Sequence, residues 1–126
     1  MIYRILLIFW LVLIFVSSSI PSYDFPEVSF WGWAKLIHLI YFGVLCFLLQ
    51  NVLRRQGKFP FLSRNALPLA IVLATVYGLT DEFHQLFTPG RHGHLTDVLV
   101  DALGASLYVA GAAVYHLYQQ RRANAA

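Results

Sequence analysis

The sequence has a single cysteine and few charged residues. Charged side chains make up 12% of the 126 residues, about half the share found in a typical soluble domain, whereas hydrophobic residues make up 59%. This composition argues against an ordinary soluble domain and against a disordered chain, which needs low hydrophobicity and high charge. Cys46 stands alone, which excludes an intrachain disulfide and a multi-cysteine metal site. We therefore expect the chain to bury its apolar surface against lipid.

Internal repeats, glycine-rich phosphate loops and nucleic-acid-binding motifs are also missing from the sequence. The net charge of +3 does not form a basic patch, because the Lys and Arg residues flank the apolar segments. We therefore predict no nucleic-acid partner and no cofactor. The expected partners are membrane lipids or lipid-linked precursors of the cell envelope.

Four apolar segments are candidates for membrane-spanning helices. A bilayer core about 30 Å thick requires about 20 apolar residues per helix, and the predicted helices cover about 4–20, 34–53, 66–85 and 96–118. They predict an all-α polytopic membrane protein, in which residues 1–126 form one domain built as a four-transmembrane-helix bundle. The first segment also resembles a signal peptide, since small residues follow its apolar stretch. Its single preceding basic residue, Arg4, favours a retained helix.

The basic residues predict the orientation of the bundle, because short cytoplasmic loops carry the excess of Lys and Arg. Seven fall on one side: Arg4, Arg54, Arg55, Lys58, Arg64, Arg121 and Arg122. Only Lys35 and Arg91 fall on the other. Both termini are therefore predicted to be cytoplasmic, in a multi-pass protein of the bacterial cytoplasmic membrane. The predicted outer side holds every acid, namely Asp24, Glu27, Asp81, Glu82, Asp97 and Asp101, with Tyr23, Trp31 and Trp33 as interfacial anchors.

Ionisable residues gather at the outer ends of three predicted helices, where their cost makes them functional candidates. Lys35 and His38 share one helix face, and Asp97 and Asp101 share another. Of the adjacent acids Asp81 and Glu82, we expect Glu82 to point inward and the other to approach the headgroups, because Gly78 one turn earlier permits close packing. The carboxylates would repel one another unless some are protonated or paired with Lys35 and Arg91.

These residues supply the predicted site. The catalytic candidates are Glu82, Asp97 and His38, and the substrate-binding candidates are Lys35, Gln85, Arg91, Asp81 and Asp101. Arg91 follows the turn signal Pro89-Gly90 and is suited to pair with an acid or to bind a phosphate. His84, His92 and His94 add nitrogen atoms near Glu82 and Asp97, but their spacing matches no recognised ligand pattern, and we predict no metal site.

The fourth predicted helix carries small residues that favour close approach of a neighbouring helix. These are Gly104, Ala105, Gly111 and Ala112. Tyr108 and Tyr115 are expected to fill the groove beside them, and His116 is expected to lie at the cytoplasmic interface.

Several of these residues together resemble the VanZ-like membrane proteins of bacteria. The resemblance covers about residues 34–111 and rests on Lys35-x2-His38, on Asp81-Glu82-x2-Gln85-x-Phe87-x-Pro89-Gly90-Arg91, and on Asp97 and Gly104. It implies a four-helix layout and a link to resistance against the glycopeptide antibiotic teicoplanin, which acts outside the cytoplasmic membrane. The chain departs from the family at Ala34, Asp101 and Tyr108, where the family often has Asp, Asn and Gly. The family's site therefore transfers most directly to Lys35, His38, Glu82, Gln85, Arg91 and Asp97.

Three functions fit these features. In the first, an envelope protein binds, and modifies or moves, a lipid-linked or anionic headgroup at the outer leaflet; Arg91 and Lys35 hold the anion while other polar residues handle protons. The second is a small proton-coupled transporter in which Glu82 or Asp101 titrates; it requires a homodimer, for which Gly104 and Gly111 are candidates to supply a face. The third is a non-catalytic structural or interaction protein. Proton transfer serves catalysis and transport equally well, so both stay open.

Overall fold

The computed structural model describes residues 1–21 and 31–124, and for residues 31–33 and 116 it describes the backbone alone. Its helices are α1 (Ile2–Ser19), α2 (Trp31–Arg55), α3 (Pro60–Arg64), α4 (Ala66–Gln85) and α5 (Leu95–Asn124), and no strand occurs in these described ranges. The predictions for Tyr23, Asp24 and Glu27 and for the side chains of Trp31, Trp33 and His116 lie outside the described residues.

Four of the helices, α1, α2, α4 and α5, are long and apolar enough to cross a membrane. This confirms the predicted all-α membrane protein with four spanning helices. Each predicted helix overlaps one of the four, although α5 continues to Asn124, beyond the predicted end. The short helix α3 was not predicted, because five residues are too few to show a helical apolar pattern.

Prolines set several of the helix boundaries. Ile20, which precedes Pro21, has φ −77° and ψ 124°, the extended conformation that a following proline favours, and α1 ends at Ser19. Pro60 opens α3 at its first turn, and Pro68 lies in the first turn of α4. A proline is tolerated there because backbone N–H groups of the first turn have no partner within the helix.

Large apolar side chains remain exposed on the outside of the bundle. On α1 they include Ile8, Phe9 and Phe15, and on α4 they include Val72 and Phe83. A water-facing surface of this kind is rare on a monomeric soluble protein, whereas lipid accommodates it without cost. The buried core between the helices is small and consists of Ile14, Phe42, Leu45, Cys46, Ala70, Ala74 and Ala105.

Close packing of α2 on α5 depends on Gly104. A methyl group at Gly104 would lie 2.3 Å from the carbonyl oxygen of Leu39, and one at Gly43 would lie 3.4 Å from the carbonyl oxygen of Gly104. Gly104 is thus buried against α2 of its own chain, as expected for packing, and the prediction that it supplies a dimer face is wrong. Gly111 is exposed, and a methyl group there would touch nothing within 4 Å.

The two tyrosines of α5 differ in their environment. Tyr108 packs edge-on against Phe47, and its hydroxyl group donates to Gln50 Oε1 on α2, as the predicted filling of the groove requires. Tyr115 is 60% exposed and fills no groove, so that part of the prediction is wrong. The reason is that none of the described helices covers this part of α5, where nearly every residue after Gly111 is exposed.

Candidate functional site

Polar side chains collect at one end of the bundle, where α1 and α4 end and α2 and α5 begin. Lys35 and His38 lie one turn apart on α2, and Asp97 and Asp101 lie one turn apart on α5. The Lys35 Nζ atom donates to Asp97 Oδ1 at 2.6 Å. The His38 Nδ1 atom lies 3.0 Å from Asp101 Oδ1. Because both helices space their polar residues by one turn, two pairs form one above the other. The pairing of Lys35 with an acid was predicted, whereas the pairing of His38 with Asp101 was not.

The adjacent acids of α4 are both buried, with Asp81 5% and Glu82 6% exposed. Glu82 points inward as predicted, but the expectation that the other acid approaches the headgroups is wrong. Asp81 Oδ1 accepts a hydrogen bond of 2.6 Å from the hydroxyl group of Ser18, and Oδ2 accepts one of 3.0 Å from Gln85 Nε2. The end of α1 therefore covers Asp81, while Gln85 Nε2 lies between Asp81 Oδ2 and Glu82 Oε1, the second contact at 3.5 Å.

We expect Ser18→Ala to destabilise the protein by about 1–3 kcal/mol, because it leaves a buried carboxylate short of one donor. The matched control is Ser106→Ala, since the exposed Ser106 hydroxyl group bonds to Ala102 O of its own helix. Thermal unfolding of the two variants in detergent micelles measures the difference. Equal melting temperatures would show that the contact between α1 and Asp81 contributes nothing.

Asp101 lies deepest in the site and is completely buried. A methyl group at Gly78 would lie 2.6 Å from Asp101 Oδ2, so Gly78 makes room for a carboxylate of α5 instead of serving only the close packing of helices. Oδ1 contacts His38, and Oδ2 has no hydrogen-bond partner among the described residues.

The turn between α4 and α5 brings Arg91 and His94 to the site. Arg91 Nε donates to the carbonyl oxygen of Ile20 at 3.1 Å, and a terminal guanidinium nitrogen of Arg91 donates to the carbonyl oxygen of Ser17 at 3.2 Å. Arg91 therefore provides donors for carbonyl groups at the end of α1 that have no partner within the helix. The backbone N–H of His94 donates to Glu82 Oε2 at 2.8 Å. Gly90 has a φ of 73°, a left-handed conformation that favours glycine.

Gly93 allows this turn to lie directly on α4. A methyl group at Gly93 would be 2.6 Å from the carbonyl oxygen of Glu82, so the backbone approaches the helix more closely than a side chain permits. Sequence reasoning missed the roles of Gly93, Ser18 and the His94 N–H. The closely spaced Gly90 and Gly93 indicate a tight turn in the sequence. The donor role of the His94 N–H and the contact of Ser18 with Asp81, 63 residues away, leave no local sequence pattern.

A cavity of about 350 Å³ opens at this end of the bundle. Its lining residues are Ala34, Lys35, His38, Gln85, Gly90, Arg91, His92, His94, Thr96 and Asp97. Lysine, arginine and three histidines thus face it, with Asp97 as the single acid. Two of the predicted binding residues, Asp81 and Asp101, do not line it, because Asp81 bonds to α1 and Asp101 lies behind His38.

The three predicted catalytic candidates come together beside the cavity. One potential ligand atom from each of His38, Glu82 and Asp97 lies within 4.8 Å of those of the other two. This arrangement is suited to proton transfer and to holding a cation. His84, which was considered as a ligand, instead lies 3.0 Å from Ser19 Oγ and stacks on Phe15.

Four spanning helices with a polar site enclosed at one end define a small polytopic membrane protein with ionisable groups inside its bundle. The chain matches the VanZ/LLP1 family model over residues 3–119 and belongs to that family, which confirms the resemblance seen in the sequence. Comparisons with curated proteins and with solved structures give no match.

Proposed function

We propose that this VanZ-like protein binds the anionic headgroup of a lipid or lipid-linked envelope precursor at the outer leaflet of the bacterial cytoplasmic membrane, and modifies or moves it. The observation that carries this proposal is the cavity at the end of the spanning helices. The cavity lies where the spanning helices α1 and α4 end and α2 and α5 begin, which supports a site near the lipid headgroups, and its lining includes Lys35, Arg91 and three histidines beside a single acid. The excess of Lys and Arg at the opposite end supports an outward-facing site with both termini in the cytoplasm.

Lys35 and Arg91 are the charged donors of this proposed headgroup site. The Lys35 ammonium group is held by Asp97 at 2.6 Å, and the Arg91 guanidinium group is held by carbonyl oxygens of α1. Such contacts fix both cations before a ligand arrives, which reduces the entropy lost on binding. Arginine offers a planar fork to a phosphate group and lysine offers a compact point charge. Together they favour a phosphate-containing headgroup.

The other functions considered fit less well. Proton-coupled transport needs a dimer, and α2 covers Gly104, one of the two glycines expected to supply its face. A purely structural role explains the pairs of Lys35 with Asp97 and of His38 with Asp101, but it gives no reason for a cavity lined by further basic residues. Buried charge pairs are also weak contributors to stability once desolvation is counted.

Native mass spectrometry of the full chain with added phosphatidylglycerol or phosphatidylcholine tests the headgroup site. We expect phosphatidylglycerol to be retained preferentially and Lys35→Gln to weaken its retention about tenfold, since a hydrogen bond to a charged group contributes about 1.5–3 kcal/mol. Lys58→Gln is the matched control, because Lys58 is an exposed lysine between α2 and α3, at the other end of the bundle.

Two results would contradict the proposal. One is equal retention of the two lipids by the wild-type chain. The other is equal loss of phosphatidylglycerol in the Lys35 and Lys58 variants, which would assign retention to overall charge instead of to the cavity. A heavier molecule that copurifies with the wild-type chain would identify a lipid-linked precursor by its mass.

A further inference from the structure

We propose that His38, Glu82 and Asp97 bind a divalent first-row transition-metal ion of the Zn²⁺ or Mn²⁺ type beside the cavity. This inference goes beyond the proposed headgroup site and does not depend on it. It also departs from the prediction that no metal binds, which considered the spacing of His84, His92 and His94. None of those three histidines belongs to the group that the structure brings together.

The three side chains provide a suitable ligand set. One imidazole nitrogen and two carboxylate oxygens are ligands that Zn²⁺ and Mn²⁺ accept in proteins, and the nitrogen disfavours Mg²⁺ and Ca²⁺. Bonds of about 2.1 Å to such an ion place any two ligand atoms within about 4.2 Å of each other. The potential ligand atoms of His38, Glu82 and Asp97 already lie within 4.8 Å of one another. Small side-chain movements therefore close the set around an ion.

Each ligand is oriented by a partner in a second layer. Metal-binding histidines commonly donate their other ring N–H to a carboxylate, which fixes the ring and the nitrogen left for the metal. His38 has such a partner in Asp101, at 3.0 Å. Glu82 Oε2 accepts the His94 N–H at 2.8 Å, and Asp97 Oδ1 accepts from Lys35 at 2.6 Å. All three ligands are thus held in place by groups that do not need to bind the ion themselves.

Asp101 also favours a cation at this place. Its side chain is completely buried, and it meets the site through His38 while Oδ2 has no partner among the described residues. A buried carboxylate of this kind is either protonated or compensated by positive charge. In their ionised forms, the carboxylates of Glu82, Asp97 and Asp101 and the ammonium group of Lys35 sum to −2. A divalent ion beside His38 neutralises the group.

The position of the ligands leaves the ion accessible. Three protein ligands leave at least one coordination position open, which distinguishes a catalytic site from a closed structural one. His38 and Asp97 line the cavity, so an ion that they bind would lie at its edge. A phosphate or carboxylate oxygen that enters the cavity is the kind of ligand that such an ion binds.

The test measures Zn²⁺ bound to the full chain, purified in detergent without a polyhistidine tag and dialysed after incubation with ZnCl₂. We expect one Zn²⁺ per chain by elemental mass spectrometry, and at least a tenfold loss of affinity in His38→Ala and in Glu82→Gln. Asp81→Asn is the matched control for Glu82→Gln, because Asp81 is the adjacent buried acid but bonds to Ser18 and Gln85 and is not one of the three ligands. It is expected to keep the ion.

Two further measurements make the result independent of how well a variant folds. ZnCl₂ is expected to raise the melting temperature of the wild-type chain and of Asp81→Asn, since a ligand that binds only the folded state stabilises it. Asp101→Asn, a change at a positioning residue, is expected to weaken Zn²⁺ binding about 10-fold to 100-fold without abolishing it.

A wild-type chain that neither binds Zn²⁺ nor melts at a higher temperature with it, with MnCl₂ equally without effect, would overturn the metal site. Unchanged binding in His38→Ala would do the same. Retention of phosphatidylglycerol by such a metal-free chain would leave the headgroup proposal standing, whereas Zn²⁺ binding without lipid retention would overturn only that proposal.

Discussion

Gly104→Ala is expected to destabilise the bundle by about 1–3 kcal/mol, the usual cost of overpacking a closely packed contact. The added methyl group would lie 2.3 Å from the carbonyl oxygen of Leu39 and 3.0 Å from its carbonyl carbon and Cα atom. These are backbone atoms, so no change of rotamer relieves the clash. The helices α2 and α5 must move apart, and the polar pairs of Lys35 with Asp97 and of His38 with Asp101 lengthen with them.

Gly111→Ala is the matched control, because it makes the same substitution on the same helix where a methyl group meets nothing within 4 Å. Alanine favours a helix over glycine by about 1 kcal/mol, so this variant is expected to be as stable as the wild-type chain or more so. Thermal unfolding in detergent micelles therefore tests for effects of opposite sign. A Gly104→Ala chain that melts as high as Gly111→Ala would contradict the close contact between α2 and α5.

The two glycines also show how far the sequence determines the fold. Four apolar segments of the right length predict the spanning helices, and small residues on α5 predict close packing. The sequence does not reveal that Gly104 is covered by Leu39 while Gly111 stays uncovered, because this depends on where α2 lies. For the same reason a dimer face at Gly104 was a reasonable expectation that the structure overturns.

For the candidate site too, the sequence predicts the local arrangement of residues but not their contacts with distant parts of the chain. The spacing of Lys35 with His38 and of Asp97 with Asp101 places each pair on one helix face, and the structure joins these faces directly. The direction of Asp81 depends on Ser18, which is 63 residues away. Helical periodicity separates Asp81 from Glu82 by about 100°, but it does not say which neighbour each direction meets. Local spacing therefore predicts which residues share a face, and tertiary packing decides their partners.

Gly93→Ala is expected to disrupt the candidate site while the spanning helices remain folded. Its methyl group would lie 2.6 Å from the carbonyl oxygen of Glu82, so the turn between α4 and α5 must lift from α4. The His94 N–H then loses Glu82 Oε2 as its acceptor, and Glu82 loses the donor that orients it. We expect about tenfold weaker Zn²⁺ binding, the usual loss when an outer-layer partner is removed, together with reduced retention of phosphatidylglycerol.

Gly57→Ala is the control for Gly93→Ala, because Gly57 lies in the connection between α2 and α3 and a methyl group there meets nothing within 4 Å. It is expected to keep Zn²⁺, lipid and melting temperature unchanged. Normal Zn²⁺ affinity in Gly93→Ala would show that the turn does not position Glu82. A lowered Zn²⁺ affinity with helical content retained by circular dichroism would show that the turn at Gly93 acts on the site by positioning Glu82.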